Sequence, residues 1–99
     1  ARIHLLLALL ALLASIVLRI SLEEWLFVVI SIMLVFFAEI TNTAIEKTLD
    51  LISQQHNQLV KLIKDMTAAG VLVTALGAVI VALVVFLPRV ITLLQSLIK

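Results

Sequence analysis

Four polar side chains in the middle of the chain have residue types and spacing that suit chemistry on one helix face. Glu39, Asn42, Glu46 and Asp50 are separated by three, four and four residues. At about 100° per residue, an α-helix places them within an arc of roughly 80°. Carboxylates held this close repel one another, so the stripe requires a bound cation, neighbouring Lys or Arg side chains, or partial protonation.

Glu39 stands where an apolar stretch ends, and a carboxylate at the edge of hydrocarbon is costly and therefore a functional candidate. We expect this position to raise its pKa, as a general base acting on a lipid hydroxyl requires. Glu46 and Asp50 lie further towards water, where carboxylates suit a hard cation such as Mg²⁺. The spacing alone is equally consistent with the solvated face of a helix that leaves the membrane.

A second polar pair follows at Lys64 and Asp65. The lysine could neutralise phosphate oxygens, although such a pair is more often an ordinary interfacial charge pair. His4 and His56 lack metal-ligand spacing, so we predict that they are structural or solvent-facing. The chain has two glycines, no P-loop motif and no cysteine, which excludes a P-loop kinase, disulfides and a cysteine nucleophile.

The composition is that of a membrane protein. Of the 99 residues, 65% are hydrophobic and 13% are charged, and the mean hydropathy is +1.35. A soluble domain of this length cannot bury so much apolar surface, so lipid must cover part of it. The net charge of +1, without a basic run, gives no indication of a nucleic-acid partner.

Three helices must position these polar groups. The first span, at about residues 3–19, is slightly shorter than the roughly 20 residues of a bilayer crossing, and snorkelling arginines at its ends compensate. Ser21 and Glu24 have the spacing of a capping box, which predicts that a second helix begins near Leu22 with Trp25 at the membrane interface.

The second helix is predicted over about residues 22–52, with its first half in lipid and its second half in water or a polar cavity. Residues 53–58 form the expected loop. A third span is predicted over about residues 61–88, because residues 66–88 are uncharged. Pro88 is expected to end it, with residues 90–99 as a short interfacial tail.

Small residues at four-residue spacing, namely Gly70, Thr74, Ala78 and Ala82, predict a ridge on the third helix where another helix can approach. The sequence thus predicts one all-α integral membrane domain over residues 1–99, built as a three-span helical bundle. Lys and Arg number four on the side of the polar stripe and three on the other. This small excess favours a cytoplasmic site and N-terminus.

Residues 38–50, followed by Lys64 and Asp65, closely resemble the signature of the prokaryotic diacylglycerol kinase family, Glu-x-x-Asn-x-x-x-Glu-x-x-x-Asp and a spaced Lys-Asp. The resemblance covers nearly the whole chain. Residues 2–4, 21–25 and 86–89, with His56, are more similar to the undecaprenol kinase branch of this family.

The resemblance implies a homotrimer in the bacterial plasma membrane, with active sites between protomers at the cytoplasmic surface. It also implies MgATP as phosphoryl donor and undecaprenol or diacylglycerol as acceptor. By position, Glu39 resembles the family's catalytic base, and Asn42 corresponds to a residue beside the transferred phosphate. Glu46 resembles a magnesium ligand, and Lys64 resembles the lysine that contacts phosphate. Asp50 and Asp65 resemble residues that support nucleotide binding and the geometry of the site.

The family also has an N-terminal amphipathic helix and a further magnesium-binding glutamate just before the position of Arg2. Neither lies within these 99 residues. We therefore expect these 99 residues, by themselves, to bind metal and nucleotide weakly. Two alternatives to a lipid kinase remain at this point. One is a small membrane transporter with Glu39 as its coupling carboxylate, and the other is a non-catalytic scaffold fragment.

Overall fold

A computed structural model describes residues 2–52 and 58–98 of the chain. Within them the backbone is helical apart from one tight turn. The helices, in chain order, are α1 (Arg2–Leu18), α2 (Leu22–Ile52) and α3 (Gln58–Ile98).

The predicted helices are present. The bounds of α2 agree with the expected 22–52, and α1 lies within a residue of its predicted limits. The predicted loop at 53–58 falls outside the described residues, except that Gln58 already begins α3.

The turn between α1 and α2 is fixed by local hydrogen bonds. Arg19 adopts a left-handed conformation, with φ of 53°, and ends α1. The Ser21 Oγ accepts a hydrogen bond from the Glu24 N–H at 3.2 Å, and the Ser21 N–H donates to Glu24 Oε1 at 3.0 Å. This reciprocal pair confirms the predicted capping box and places α1 and α2 in a hairpin.

Helix α3 continues past Pro88, whereas the predicted end of the membrane span at that residue stays a prediction. The 41 residues of α3 form one helix through the proline to Ile98. The fixed φ of proline is compatible with a helix, and its missing N–H removes one intrahelical hydrogen bond. The lost bond is the one to the Val84 carbonyl, and the Pro88 carbonyl itself accepts a hydrogen bond from the Thr92 hydroxyl at 2.9 Å. Residues 90–98 thus continue α3 as a helix, and their position at the interface stays a prediction.

Little of the apolar surface is buried inside one chain. Ile20, Val28 and Val85 form a small core, packed by Trp25 and Phe86 among others. Most large aliphatic side chains are exposed along all three helices. Among the described residues, α2 and α3 are long and apolar enough to cross a membrane, whereas α1 is a shorter apolar helix of 17 residues.

The predicted small-residue ridge is only partly packed inside the chain. Thr74, Ala78 and Ala82 are half-buried, but Gly70 is exposed. A Cβ added at Gly70 would meet nothing within 4 Å, so no helix of the same chain approaches it closely.

Candidate active site

The polar half of α2 presents its side chains as the sequence predicts. Residues 39–50 lie in one uninterrupted helix. The Asn42 Nδ2 donates a hydrogen bond to Glu46 Oε1 at 3.4 Å, which links two members of the stripe. Glu39, Asn42 and Glu46 are half-buried, whereas Asp50 is exposed. The stripe therefore changes from a shielded to a watery environment along the helix.

Helix α1 brings a histidine to Glu39. The His4 Nδ1 lies 2.7 Å from Glu39 Oε2, and the two side chains are 28% and 18% exposed. A hydrogen bond to the charged form of a carboxyl group favours that form and opposes the effect of burial. His4 is thus a partner that stabilises the charged form of the Glu39 carboxylate, and the expected rise in the pKa of Glu39 stays a prediction.

The assignment of His4 as merely structural or solvent-facing missed this contact, and His56 lies outside the described residues. The positions of the two residues in the predicted hairpin could have indicated this contact. His4 and Glu39 lie at similar distances in sequence from the turn at residues 19–21. Residues equidistant from the turn of an antiparallel helix pair meet across it. His4 therefore belongs to the candidate site.

One buried polar atom in the stripe has no partner within the described residues. The Oδ1 of Asn42 is buried and accepts no hydrogen bond there. A buried oxygen left unpaired costs free energy, which a ligand donor or a cation can recover. Such an oxygen is chemically suited to the first or second coordination shell of Mg²⁺.

The donor set fits a magnesium ion shared with a phosphorylated ligand better than a metal held by protein alone. Among the described residues, no three His, Asp or Glu side chains come together as a metal cluster. Mg²⁺ at phosphate-transfer sites uses one or two carboxylates, substrate phosphates and water. The Glu46 carboxylate, which is hydrogen-bonded to the Asn42 amide, can provide the ligand that the protein contributes to such a site.

An ion pair connects the stripe to α3. The Lys64 Nζ lies 2.8 Å from Asp50 Oδ1, and this hydrogen bond raises the pKa of the lysine, with a smaller contribution from Glu46. The lysine is 28% exposed and the aspartate 65%. A pair this exposed adds little stability. Its consequence is to hold a cation beside the carboxylates.

Asp65 is not brought into this arrangement. It is exposed, and within the described residues it makes no ion pair or side-chain hydrogen bond. Its assignment to the nucleotide site therefore stays a prediction.

An apolar cavity of about 280 Å³ begins beside His4 and runs between the three helices. Small side chains from each helix leave the space open, including Ala8, Ser31 and Ala78. The cavity thus joins the polar stripe to the membrane-spanning part of the molecule. Its size and lining fit an apolar chain with its polar end beside His4.

Comparison with known proteins identifies the family of the chain. Residues 1–86 match the prokaryotic diacylglycerol kinase family, and the chain therefore belongs to this family. No solved structure matches the chain.

Two characterised relatives are similar to the chain. It is 41% identical over 71 residues to the undecaprenol kinase of Bacillus subtilis, a match that covers 72% of this chain and 58% of the relative. It is 40% identical over 62 residues to the diacylglycerol kinase of Synechocystis, a match covering 62% of this chain and 35% of the relative. The chain thus matches less than two thirds of the length of either relative.

Proposed function

We propose that this protein is a lipid kinase that transfers the γ-phosphate of MgATP to the hydroxyl of a membrane lipid, either undecaprenol or diacylglycerol. The observation that carries the proposal is the position of Glu39. Its carboxylate lies 2.7 Å from His4, which lines the apolar cavity, and it shares a helix face with Asn42 and Glu46. The names of the two relatives agree with this chemistry.

In the proposed reaction Glu39 accepts the proton of the lipid hydroxyl. The lipid oxygen then forms a bond to the γ-phosphorus as the bond to the β,γ-bridging oxygen breaks, and ADP leaves. A general base must lie within hydrogen-bond reach of the proton it removes. A carboxylate at the membrane boundary meets this requirement for a lipid whose hydroxyl lies at the same depth.

The other residues of the stripe bind and orient the phosphates. Glu46, with the Asn42 oxygen as a further donor, would hold Mg²⁺, and the ion would supply positive charge for the phosphate oxygens. Lys64, fixed by Asp50, contributes a second cation. We assign Asp50 and Asp65 to nucleotide binding and site geometry. Such positioning and charge neutralisation provide most of the catalysis in phosphoryl transfer.

The proposal includes a homotrimer in the bacterial plasma membrane, with α1 as a third span and the active site at the cytoplasmic surface. Exposed aliphatic side chains along all three helices support contacts with lipid and with other copies. The polar stripe on α2 is only partly covered within one chain, which supports an active site whose other wall is formed by a neighbouring copy. The segment beyond the apolar half of α2 is polar enough to lie in water.

The test is transfer of labelled γ-phosphate by the purified full-length protein. MgATP is supplied with undecaprenol or, separately, with diacylglycerol in mixed micelles. We expect phosphorylation of at least one lipid, and a loss of about 100-fold or more in the Glu39→Gln variant, because general bases contribute roughly 100- to 10,000-fold. The preferred lipid identifies the substrate.

Glu23→Gln is the matched control, because Glu23 is an exposed carboxylate at the opposite end of α2. It should leave the transfer rate unchanged. If folded protein phosphorylates neither lipid, the kinase proposal is wrong. Metal-dependent ATP binding without phosphate transfer would then favour a non-catalytic scaffold. A transporter is the weaker alternative, because its polar groups are expected near the membrane midplane.

A further inference from the structure

A second cavity lies at the other end of the molecule from the candidate active site. Its volume is about 590 Å³, and it is formed by the α1–α2 turn and the C-terminal part of α3. Glu24, one of its lining residues, precedes Glu39 by 15 residues on α2. At 1.5 Å per residue this separates the two sites by about 22 Å along the helix.

The charges around this second cavity leave a net positive site. Arg89 contacts both carboxylate oxygens of Glu24, and the two charges neutralise each other. Arg19, also in the lining, is exposed, and within the described residues its side chain makes no ion pair or hydrogen bond. Among the described residues, the Arg19 guanidinium therefore has no counter-ion.

Hydrogen-bond donors also remain available. An arginine side chain carries five N–H donors. Arg89 uses one for Glu24 Oε2, one for Glu24 Oε1 and one for the Arg19 carbonyl. The remaining donors are held in place by these three bonds. Ser96 adds a hydroxyl group on the same side of α3.

The remaining walls of the cavity are aliphatic, with Leu18, Val84 and Leu93 among them. A free phosphate ion would satisfy the cation but would leave these walls uncovered. A zwitterionic lipid would bring a second cation next to Arg19. An amphiphile with an anionic headgroup matches both the polar rim and the apolar walls.

We propose that this cavity binds the phosphate of an anionic phospholipid at the membrane face opposite the active site. The Arg19 guanidinium and the free donors of Arg89 contact the phosphate oxygens, and an acyl chain covers the aliphatic walls. The inference does not depend on the proposed kinase activity, because none of these residues belongs to the α2 stripe.

The experiment is native mass spectrometry of the full-length protein, released from detergent with equal amounts of phosphatidylglycerol and phosphatidylcholine. We expect preferential retention of phosphatidylglycerol. The Arg19→Gln variant should retain it about five-fold less, which is the effect of one cation on binding to anionic lipid. Circular dichroism verifies that the variant is folded.

Lys47→Gln is the matched control, because it removes an exposed cation from the polar half of α2. It should leave retention unchanged. Equal retention of both lipids by the wild type would overturn the proposal, and so would an equal loss in the two variants. Displacement of the lipid by inorganic phosphate would instead show a site for the free ion, which also overturns it.

Discussion

The contact between His4 and Glu39 changes the chemical meaning of both residues. From the sequence, Glu39 is one carboxylate of the stripe at the edge of lipid, and His4 is predicted to be structural or solvent-facing. In the structure the imidazole lies 2.7 Å from the carboxylate. A general base needs a fixed orientation as well as a suitable pKa. His4 is therefore a positioning residue for the proposed base.

We predict that His4→Leu lowers kcat for lipid phosphorylation by about 10- to 100-fold, because a displaced catalytic group loses that much rate. The KM for MgATP should stay unchanged, since His4 contacts Glu39, which precedes Glu46 by seven residues or about 10 Å along α2. Steady-state kinetics in mixed micelles measures both constants. Ile3→Leu, at an exposed neighbouring position, serves as the control. A rise in KM with constant kcat would contradict the positioning role.

At the scale of elements, the α1–α2 turn is tied to α3 by charge. Arg89 binds the Glu24 carboxylate and also donates to the Arg19 carbonyl at 3.4 Å. The clamp joins residues that are 65 and 70 positions apart in the chain. It fixes the hairpin against α3 at the end of the molecule where Ile20, Val28 and Val85 form the small core.

This clamp predicts a specific pH dependence of stability. The Arg89 hydrogen bond, followed by that of the Ser21 N–H, lowers the pKa of Glu24 from 4.5 to about 2. A carboxyl group whose pKa is lower in the folded state than in the unfolded state stabilises the fold above its unfolded pKa. The contribution is fully present above pH 4.5 and is lost as the pH falls towards 2.

We expect Glu24→Gln to lower the Tm of the detergent-solubilised protein near neutral pH, and the gap to the wild type to narrow in acid. Thermal unfolding followed by circular dichroism, from about pH 7 to about pH 3, gives the profile. Glu23→Gln removes an exposed neighbouring carboxylate and should leave the Tm unchanged. A gap that stays constant with pH would show that the ion pair is not its cause.

At the scale of the whole molecule, α3 has an exposed glycine that no contact within one chain explains. Gly77 is exposed, and a Cβ placed there would meet nothing within 4 Å. Glycine costs about 1 kcal/mol relative to alanine inside a helix, and no contact within the described chain requires it. Small residues in membrane helices allow close approach of another helix. Gly77 is therefore a candidate contact between copies in the proposed homotrimer.

We predict that Gly77→Leu reduces the trimer fraction, measured by light scattering coupled to size-exclusion chromatography in detergent, while the helix content stays the same. The control is Leu72→Phe, which adds bulk at an exposed position about 140° away around α3. Wild-type mass for the Gly77→Leu variant, or loss of the trimer in both variants, would exclude this face as the interface.

The sequence by itself determined the features that depend on neighbours along the chain. Apolar runs indicated three helices, the Ser21 and Glu24 spacing indicated the start of α2, and three- and four-residue spacing placed the carboxylates on one face. These features follow from helix periodicity and local hydrogen bonds. The family signature rests on the same local pattern.

Only the tertiary structure decided which helices meet and what their contacts do. It paired His4 with Glu39, Lys64 with Asp50, and Arg89 with Glu24. It also showed that α3 continues through Pro88 to Ile98, although proline usually marks the end of a helix. Contacts between distant residues depend on the packing of whole helices. A proline removes only one hydrogen bond, so the surrounding helix decides whether it ends there.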